Sequence, residues 1–175
     1  METEHFILFS GVPLSGRPGH DAAYALLDRL YRQRTGEAVL PPIARTDRGK
    51  PYFPGSGLHF SVSHTRRHAF CALSDIPIGI DAEELDRDID LRLADKILSP
   101  GERAQFDAAS DKRLALLRFW VLKEADAKRS GLGLRGYPNR TGFSLDDPRI
   151  ILRDGCILAI LTEGDTPCSL THTPI

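Results

Sequence analysis

The chain has 175 residues, of which 41% are hydrophobic and 27% are charged. A chain of this length can bury one sizeable core, or two small halves packed together. Its 23 basic and 24 acidic residues leave a formal charge of −1, so it lacks the overall field that attracts nucleic acid or an anionic membrane. No segment approaches the roughly 18 apolar residues of a membrane span, and the first residues lack the basic start of a signal peptide. We therefore expect a cytoplasmic protein with no nucleic-acid partner and no membrane partner.

Cysteine and histidine positions give little support for a disulfide framework or a zinc site. The three cysteines are odd in number, far apart and without a C-x-x-C pair, which favours small buried residues. His59, His64 and His68 lie close in sequence and leave a transition-metal site as an alternative. The run HFSVSH is typical of a strand, however, whereas this spacing suits a metal-binding face only on a helix.

The first third of the chain predicts a strand, a helix and a long loop. Residues 5–12 are strand-like, and the amphipathic segment after Gly19 predicts a helix that ends near Gly36. Residues 41–57 combine proline, glycine and basic side chains, which predicts an extended surface loop. Loops of this kind often carry ligand contacts.

The rest of the chain alternates between strand and helix signals. Ser99 and Glu102 flank a Pro-Gly pair and form a capping box that opens one helix, and Ser110 is predicted to cap another over residues 111–130. Asp154-Gly155 is the signature of a tight hairpin. The strand-like segments are residues 58–63, 68–74, 76–85, 149–153, 156–162 and 168–172.

These elements predict an α+β fold in which antiparallel sheets pack with helices. Residues 1–75 and 76–175 both have the order strand, helix and strands, which fits two similar halves within one compact domain over residues 1–175. No residue-level repeat accompanies that similarity.

Three groups of polar residues are candidates for chemistry. Asp81 and Glu83 lie two apart on a predicted strand, so both carboxylates project from one face and can share a magnesium ion. Trp120, Glu124 and Lys128 follow one stripe of a helix, where Glu124 can complete the metal site and Lys128 can meet a phosphate. The alternatives are a solvated acidic strand end and an ordinary Glu-to-Lys helix pair.

The third group is basic and lies upstream of the carboxylates. Converging cations and hydroxyl groups suit a phosphate-rich ligand, although a solvated basic loop is the alternative. The residues are Arg45, Arg48 and Lys50 in the loop, and Ser63, His64, Arg66 and Arg67 at the end of the next strand.

The order of these motifs resembles the 4′-phosphopantetheinyl transferase superfamily. IGIDAE is similar to its G-[IV]-D-x-E strand, and WVLKEADAK, about 40 residues later, to its W-x-x-K-E-x-x-x-K helix. RTDRGKPYF and FSVSHT resemble its G-K-P loop and its S-H-[ST] element. The resemblance is greatest to the pseudo-dimeric, surfactin-synthetase-activating branch, which implies two α/β halves related by a pseudo-two-fold axis in a monomer.

The resemblance implies transfer of phosphopantetheine from coenzyme A to a serine of an apo acyl or peptidyl carrier protein, with release of 3′,5′-ADP. Magnesium, or manganese in its place, would be held by Asp81, Glu83 and Glu124, and Glu124 is also the candidate general base. Lys128 would contact the pyrophosphate. The implied coenzyme contacts are Arg45 and His64 at the 3′-phosphate, Gly49, Lys50 and Pro51 at the adenine end, and Ser63; Lys123 also falls on a motif position.

Two other functions fit part of this pattern. Carboxylates with a lysine suit a magnesium-dependent phosphohydrolase, which does not account for the G-K-P and S-H-T elements. A non-catalytic module that binds coenzyme A or a carrier protein accounts for the motifs, but it has no need of a complete set of acidic ligands.

Overall fold

The computed structural model of the protein describes residues 5–134, 142–163 and 168–174. Its helices are α1 (Gly19–Thr35), α2 (Ala94–Ile97), α3 (Pro100–Ala108) and α4 (Lys112–Ser130), with a 3₁₀ turn at Leu91–Leu93. Its strands are β1 (His5–Pro13), β2 (Ala44–Arg45), β3 (Pro51–Tyr52), β4 (His59–His64), β5 (His68–Ser74), β6 (Ile78–Glu84), β7 (Ile150–Arg153), β8 (Cys156–Thr162) and β9 (Cys168–His172). Among these described residues, no helix is both long enough and apolar enough to cross a membrane.

The strands form two main sheets, as the α+β prediction requires. The first has the order β4-β5-β1-β9, with β9 parallel to β1 and the other pairs antiparallel. The second has the order β6-β8-β7 and is antiparallel throughout. The last strand of the chain thus joins the edge of the sheet built from the first half, and the pseudo-two-fold relation stays a prediction.

Alternating side chains place the two sheets face to face between two helices. Ile7 and Phe9 of β1 pack against Leu158 and Ile160 of β8 in a core between the sheets. Neighbouring residues point the other way, because successive side chains of a strand lie on opposite faces. One outer core is formed with α1 and the other with α4. The order of layers is therefore α1, first sheet, second sheet and α4.

Local sequence signals fix several element ends. The capping box is confirmed, since Ser99 Oγ accepts the Glu102 N–H at 3.4 Å and Glu102 Oε2 accepts the Ser99 N–H at 2.7 Å. The hairpin is confirmed as well, with positive φ at both Asp154 and Gly155. The prediction that Ser110 caps the long helix is wrong.

The cap of α4 is Asp111, one residue later than predicted. Its carboxylate accepts the Leu114 N–H at 2.9 Å, and its backbone is extended. Serine and aspartate both cap helices well, so the cap is the residue whose extended backbone directly precedes the first helical residue, Lys112. The loop over residues 41–57 is mostly irregular, as predicted, but it contains the short β2–β3 pair.

Gly79 allows β6 to lie directly against α4. A Cβ atom at this position would stand 1.9 Å from the Ala125 carbonyl oxygen and 2.5 Å from the Arg129 amide nitrogen. Both are backbone atoms of a packed helix, so no side-chain rotation relieves the clash. This close approach brings the carboxylates of β6 next to the polar side chains of α4.

We predict that Gly79→Ala lowers the free energy of unfolding by about 3 kcal/mol, the upper range for overpacking a core. Urea unfolding followed by circular dichroism measures it. Gly57→Ala is the matched control, because Gly57 is exposed and a Cβ there meets nothing within 4 Å. Equal stability of the two variants would contradict the close packing of β6 on α4.

Candidate active site

Side chains, rather than a backbone ladder, join the two sheets where β4 meets β6. The Ile80 N–H donates to Ser61 Oγ at 3.0 Å, and the Ala82 N–H donates to Ser63 Oγ at 3.2 Å. Both serines are buried. These hydroxyl groups satisfy the edge amides of β6 that β8 does not reach. We call this contact the β4–β6 seam.

Lys128 of α4 crosses the same seam. Its Nζ donates to Asp81 Oδ1 at 2.7 Å, to the Ile80 carbonyl at 3.2 Å and to the Val62 carbonyl at 3.4 Å. One ammonium group therefore contacts both strands and a carboxylate. Its charge is held at the centre of the contact between the sheets.

Asp81 is the most buried of the predicted ligands, with 6% of its surface exposed. Its Oδ1 accepts from Lys128 and, at 3.2 Å, from Ser63 Oγ. Its Oδ2 is also buried and has no hydrogen-bond partner among the described residues. A buried carboxylate oxygen without a partner is costly, which indicates that a ligand belongs there.

Glu83 lies on the same face of β6, two residues further on. Its Oε1 accepts the Trp120 indole N–H at 3.1 Å and is paired with the Arg87 guanidinium. Burial raises the pKa of Glu83, and the charge of Asp81 raises it further, against the opposing effect of Arg87. Trp120 therefore orients a carboxylate as well as filling space.

Glu124 faces these two carboxylates from α4, one helical turn before Lys128. Burial raises its pKa, followed by the negative charge of Asp81, while Lys128 acts in the opposite direction. The negative charge of Asp81 thus raises the pKa of both Glu83 and Glu124. The oxygens of these three carboxylates do not all lie within 4.8 Å of one another. A hard divalent cation with oxygen ligands, such as magnesium, would keep such carboxylates ionised and would partner the unbonded Asp81 oxygen.

Three adjoining clefts run along the seam, with volumes of about 260, 320 and 400 Å³. Lys128 lines the first and second, while His64 and Glu83 line the second and third. The structure brings all ten predicted site residues into the first two clefts. These are Arg45, Gly49, Lys50, Pro51, Ser63, His64, Asp81, Glu83, Glu124 and Lys128.

The basic loop is docked on the end of α4 instead of extending into solvent. The Lys50 ammonium donates to the Arg129 carbonyl, and Arg48 Nη1 donates to the Leu132 carbonyl at 3.3 Å. Burial lowers the pKa of Lys50, and nearby Arg129 adds to that effect. Arg45 Nη1 donates to the Gly49 carbonyl at 2.9 Å and closes the loop on itself. These contacts form one wall of the first cleft.

Lys123, which also falls on a motif position, lies outside these clefts. It is 2% exposed and its Nζ is 2.8 Å from Glu102 Oε2, the same carboxylate that completes the capping box. Its position and partner give it a structural role beneath α3. Lys128 and Lys123 therefore differ in function although they belong to one motif.

Several side chains of the site escape sequence reasoning. Arg87 follows an acidic run and has no motif of its own, but its guanidinium contacts Glu83 and lies 5.6 Å from the Trp120 ring centroid. His20, in the first turn of α1, lines the second cleft and stacks on Tyr24 with ring centroids 4.4 Å apart. The acidic residues around Arg87 in the sequence indicate an ion pair for that arginine, whereas no sequence pattern indicates a role for His20.

The three clustered histidines do not form the transition-metal site considered above. The potential ligand group within the described residues is His68, Glu84 and Cys156. Burial raises the pKa of the Cys156 thiol to about 12, helped by the charge of Glu84, which disfavours the thiolate that a metal needs. Burial also raises the pKa of Glu84, but hydrogen bonds from Arg67 and Thr65 outweigh it and lower that pKa to about 2.

Comparison with known proteins decides the family. The model of the 4′-phosphopantetheinyl transferase superfamily matches residues 77–172, more than half of the chain. The chain belongs to the 4′-phosphopantetheinyl transferase superfamily. The matched region contains Asp81, Glu83, Glu124 and Lys128, whereas the G-K-P loop and His64 lie before it.

Individual members of this superfamily are similar over much of the chain. A 4′-phosphopantetheinyl transferase of Bacillus subtilis is 32% identical over 124 residues, which are 69% of this chain and 52% of that protein. The transferase Sfp of Bacillus subtilis strain 168 is 33% identical over 125 residues, again 69% and 52%. HetI of Nostoc sp. is 38% identical over 95 residues, 50% of this chain and 40% of HetI. The chain thus spans about half the length of the curated relatives it matches.

We predict that Lys123→Met lowers the free energy of unfolding by about 3 to 5 kcal/mol, because it leaves the Glu102 charge buried without its cation. Chemical denaturation measures the loss. Lys96→Met is the control, since Lys96 is exposed on α2 and should change stability by less than about 0.5 kcal/mol. A loss below about 1 kcal/mol in Lys123→Met would remove the structural role of that lysine.

Proposed function

We propose that the protein transfers the 4′-phosphopantetheine group of coenzyme A to a serine of an acyl or peptidyl carrier protein, in a magnesium-dependent reaction. One observation carries the proposal: Asp81, whose buried Oδ2 has no hydrogen-bond partner within the described residues, lines a cleft with Glu83 and Lys128, and Glu124 lines the adjoining cleft. Membership of the superfamily and the activity for which its relatives are named support it.

The reaction exchanges a phosphoanhydride bond for a phosphoester bond. The carrier serine Oγ forms a bond to the β-phosphorus of coenzyme A, and the bond from that phosphorus to the bridging oxygen of the pyrophosphate breaks. The products are the phosphopantetheinyl serine and 3′,5′-ADP. The serine must lose its proton, and the leaving oxygen gains negative charge.

Residues of the seam supply these needs. Glu124 is the proposed general base, because its carboxylate lines the cleft beside Lys128, next to the cleft that contains Asp81 and Glu83. The Lys128 ammonium, held on the seam, is placed to offset charge on the pyrophosphate oxygens. Arg87 and Trp120 keep the Glu83 carboxylate in the cleft.

Asp81, Glu83 and Glu124 would hold the divalent cation. When bound, that cation supplies Lewis-acid stabilisation of the phosphoryl oxygens. Magnesium is proposed, and manganese is the alternative because oxygen-rich sites accept both. The coenzyme would extend along the clefts, with its 3′-phosphate at Arg45 and His64 and its adenine at the G-K-P loop.

The finer features of the organisation are proposals as well. We propose a cytoplasmic monomer with one domain over residues 1–175, whose halves, residues 1–75 and 76–175, are related by a pseudo-two-fold axis. Each half contributes a sheet and a long helix to the layers described above. No nucleic-acid or membrane partner is proposed.

The reaction is tested by intact-protein mass spectrometry of several apo carrier proteins incubated with this protein, coenzyme A and magnesium. We expect one phosphopantetheine mass on the carrier, abolished by a chelator and reduced at least about 100-fold by Glu124→Gln, which removes the base without changing volume. Glu37→Gln is the control, because Glu37 bonds Tyr31 and lines none of the three clefts.

The outcomes separate the three candidate functions. Wild-type turnover in Glu124→Gln would remove Glu124 from the mechanism. Coenzyme A binding without any mass gain would favour the binding module. Release of pantetheine phosphate to water in the absence of a carrier would favour the phosphohydrolase.

We further predict that His64→Ala raises the Michaelis constant for coenzyme A by about 10-fold or more, the expected loss of a charge-assisted hydrogen bond to phosphate. The constant for 3′-dephospho-coenzyme A should change much less, since that substrate lacks the phosphate. Steady-state kinetics with both substrates measure the difference. Equal losses would show that His64 does not bind the 3′-phosphate.

A further inference from the structure

A buried carboxylate next to the candidate active site is bonded to the turn between β4 and β5. Glu84 follows Glu83 on β6, and its side chain lies on the opposite face of the strand with 3% of its surface exposed. Its Oε1 accepts the Thr65 hydroxyl at 2.5 Å and the Arg67 N–H at 3.0 Å. Its Oε2 accepts Arg67 Nη2 at 2.6 Å and Nε at 2.9 Å. We call these bonds the Glu84 clamp.

The clamp leaves no coordination position open for a cation. Glu84 Oε1 accepts two donors, and Oε2 accepts two guanidinium nitrogens of Arg67 and the Cys156 thiol at 3.8 Å. The nearby His68 and Cys156 therefore complete a hydrogen-bonded cluster. The clamp holds backbone segments together instead of holding an ion.

The two segments joined by the clamp each carry a residue of the candidate site. Thr65 follows His64 directly and Arg67 lies three residues after it, while Glu84 follows Glu83 directly. His64 and Glu83 both line the second and third clefts. The clamp thus fixes the position of His64, on the first sheet, relative to Glu83, on the second.

The His64 ring also lies close to helix α1. A Cβ atom on Gly19, at the start of α1, would stand 2.6 Å from the His64 ring. His64 is exposed, so its imidazole packs against the first turn of α1 on one side without being enclosed. Ser63, the residue before His64, has its own hydrogen bonds to β6, so we expect loosening of the clamp to act first on His64.

Fixed spacing matters for the substrate proposed above. Coenzyme A carries its 3′-phosphate and its 5′-pyrophosphate on one ribose, so an enzyme that binds both must hold two groups a set distance apart. We propose that the Glu84–Arg67 pair is a positioning device that sets this distance, so that it favours coenzyme A over 3′-dephospho-coenzyme A through His64. This inference rests on the proposed function and assigns Glu84 and Arg67 a role in substrate selection.

The test measures equilibrium binding of coenzyme A and of 3′-dephospho-coenzyme A by calorimetry, with magnesium and without any carrier protein. We expect Glu84→Gln to weaken coenzyme A binding about 10-fold and to change 3′-dephospho-coenzyme A binding less than about twofold. Asp86→Asn is the matched control. Asp86 also accepts a hydrogen bond from Arg67, at 2.9 Å, but its side chain is exposed and it does not belong to the Glu84 clamp. It should bind both ligands like the wild type.

A double-mutant cycle shows whether the clamp acts through His64. In the His64→Ala background, Glu84→Gln should add no further loss of coenzyme A binding, because the group it positions is already gone. Additive losses would overturn the proposal, and so would equal weakening toward both ligands in Glu84→Gln alone. Either result would make the clamp a structural feature only.

Arg67→Lys keeps the test valid if Glu84→Gln does not fold. Lysine retains the charge but loses the bidentate geometry, so the same selective loss of coenzyme A binding is expected. Urea unfolding of each variant verifies that the folded protein is being measured. Wild-type affinity and selectivity in Arg67→Lys and Glu84→Gln would overturn the proposal.

Failure of the inference and failure of the proposed function give different results. Selective binding that depends on the clamp, without transfer to any carrier, would uphold the inference and refute the transferase proposal. Transfer by a wild-type protein that binds coenzyme A and 3′-dephospho-coenzyme A equally would uphold the transferase proposal and refute the inference. Absence of binding by either ligand would overturn both.

Discussion

The β4–β6 seam is the contact on which the candidate site depends. Edge amides of β6 need acceptors, and Ser61 and Ser63 provide them without extending the sheet. Lys128 then bonds carbonyl groups of both strands, so the two sheets are joined by side chains at this point. A continuous ladder would have filled the same space with backbone. Because β4 and β6 are not joined by backbone hydrogen bonds, clefts lie along the seam, and Asp81 lines one of them.

The polar groups of the seam are an expensive way to hold two sheets together. A buried ion pair gains little over a well-packed apolar pair of similar volume, and Asp81 Oδ2 gains nothing from its own hydrogen bonds within the described residues. Glu83 and Glu124 add further buried charge of the same sign. Packing alone does not account for this arrangement, whereas a cation and a phosphate-rich ligand would partner each group. The same charged side chains at the seam therefore lower stability and provide the groups that the proposed chemistry needs.

Signals within a few residues of each other were read correctly from the sequence, and contacts between distant segments were not. The capping box at Ser99 and the Asp154-Gly155 hairpin depend on neighbouring residues, as does the shared face of Asp81 and Glu83. Ser110 and Asp111 are equally good caps, so sequence alone did not separate them. The docking of Lys50 on the end of α4 joins residues 79 positions apart, and no local pattern indicates it. Arg87 on Glu83 was missed because a basic residue in an acidic run is usually solvated.

The motifs and the residues next to them also contain pairs of identical residues that the backbone geometry assigns to different tasks. Glu83 and Glu84 are adjacent on a strand, so one faces α4 and the cleft while the other faces the β4–β5 turn. Lys123 and Lys128 are separated by about 140° around a helix of 3.6 residues per turn, so one reaches Glu102 and the other Asp81. In each pair one member lines the first or second cleft, and the other holds the surrounding elements in place. A motif that spans both faces of an element therefore specifies a site together with its support, which is why its residues cannot all be interpreted as ligand contacts.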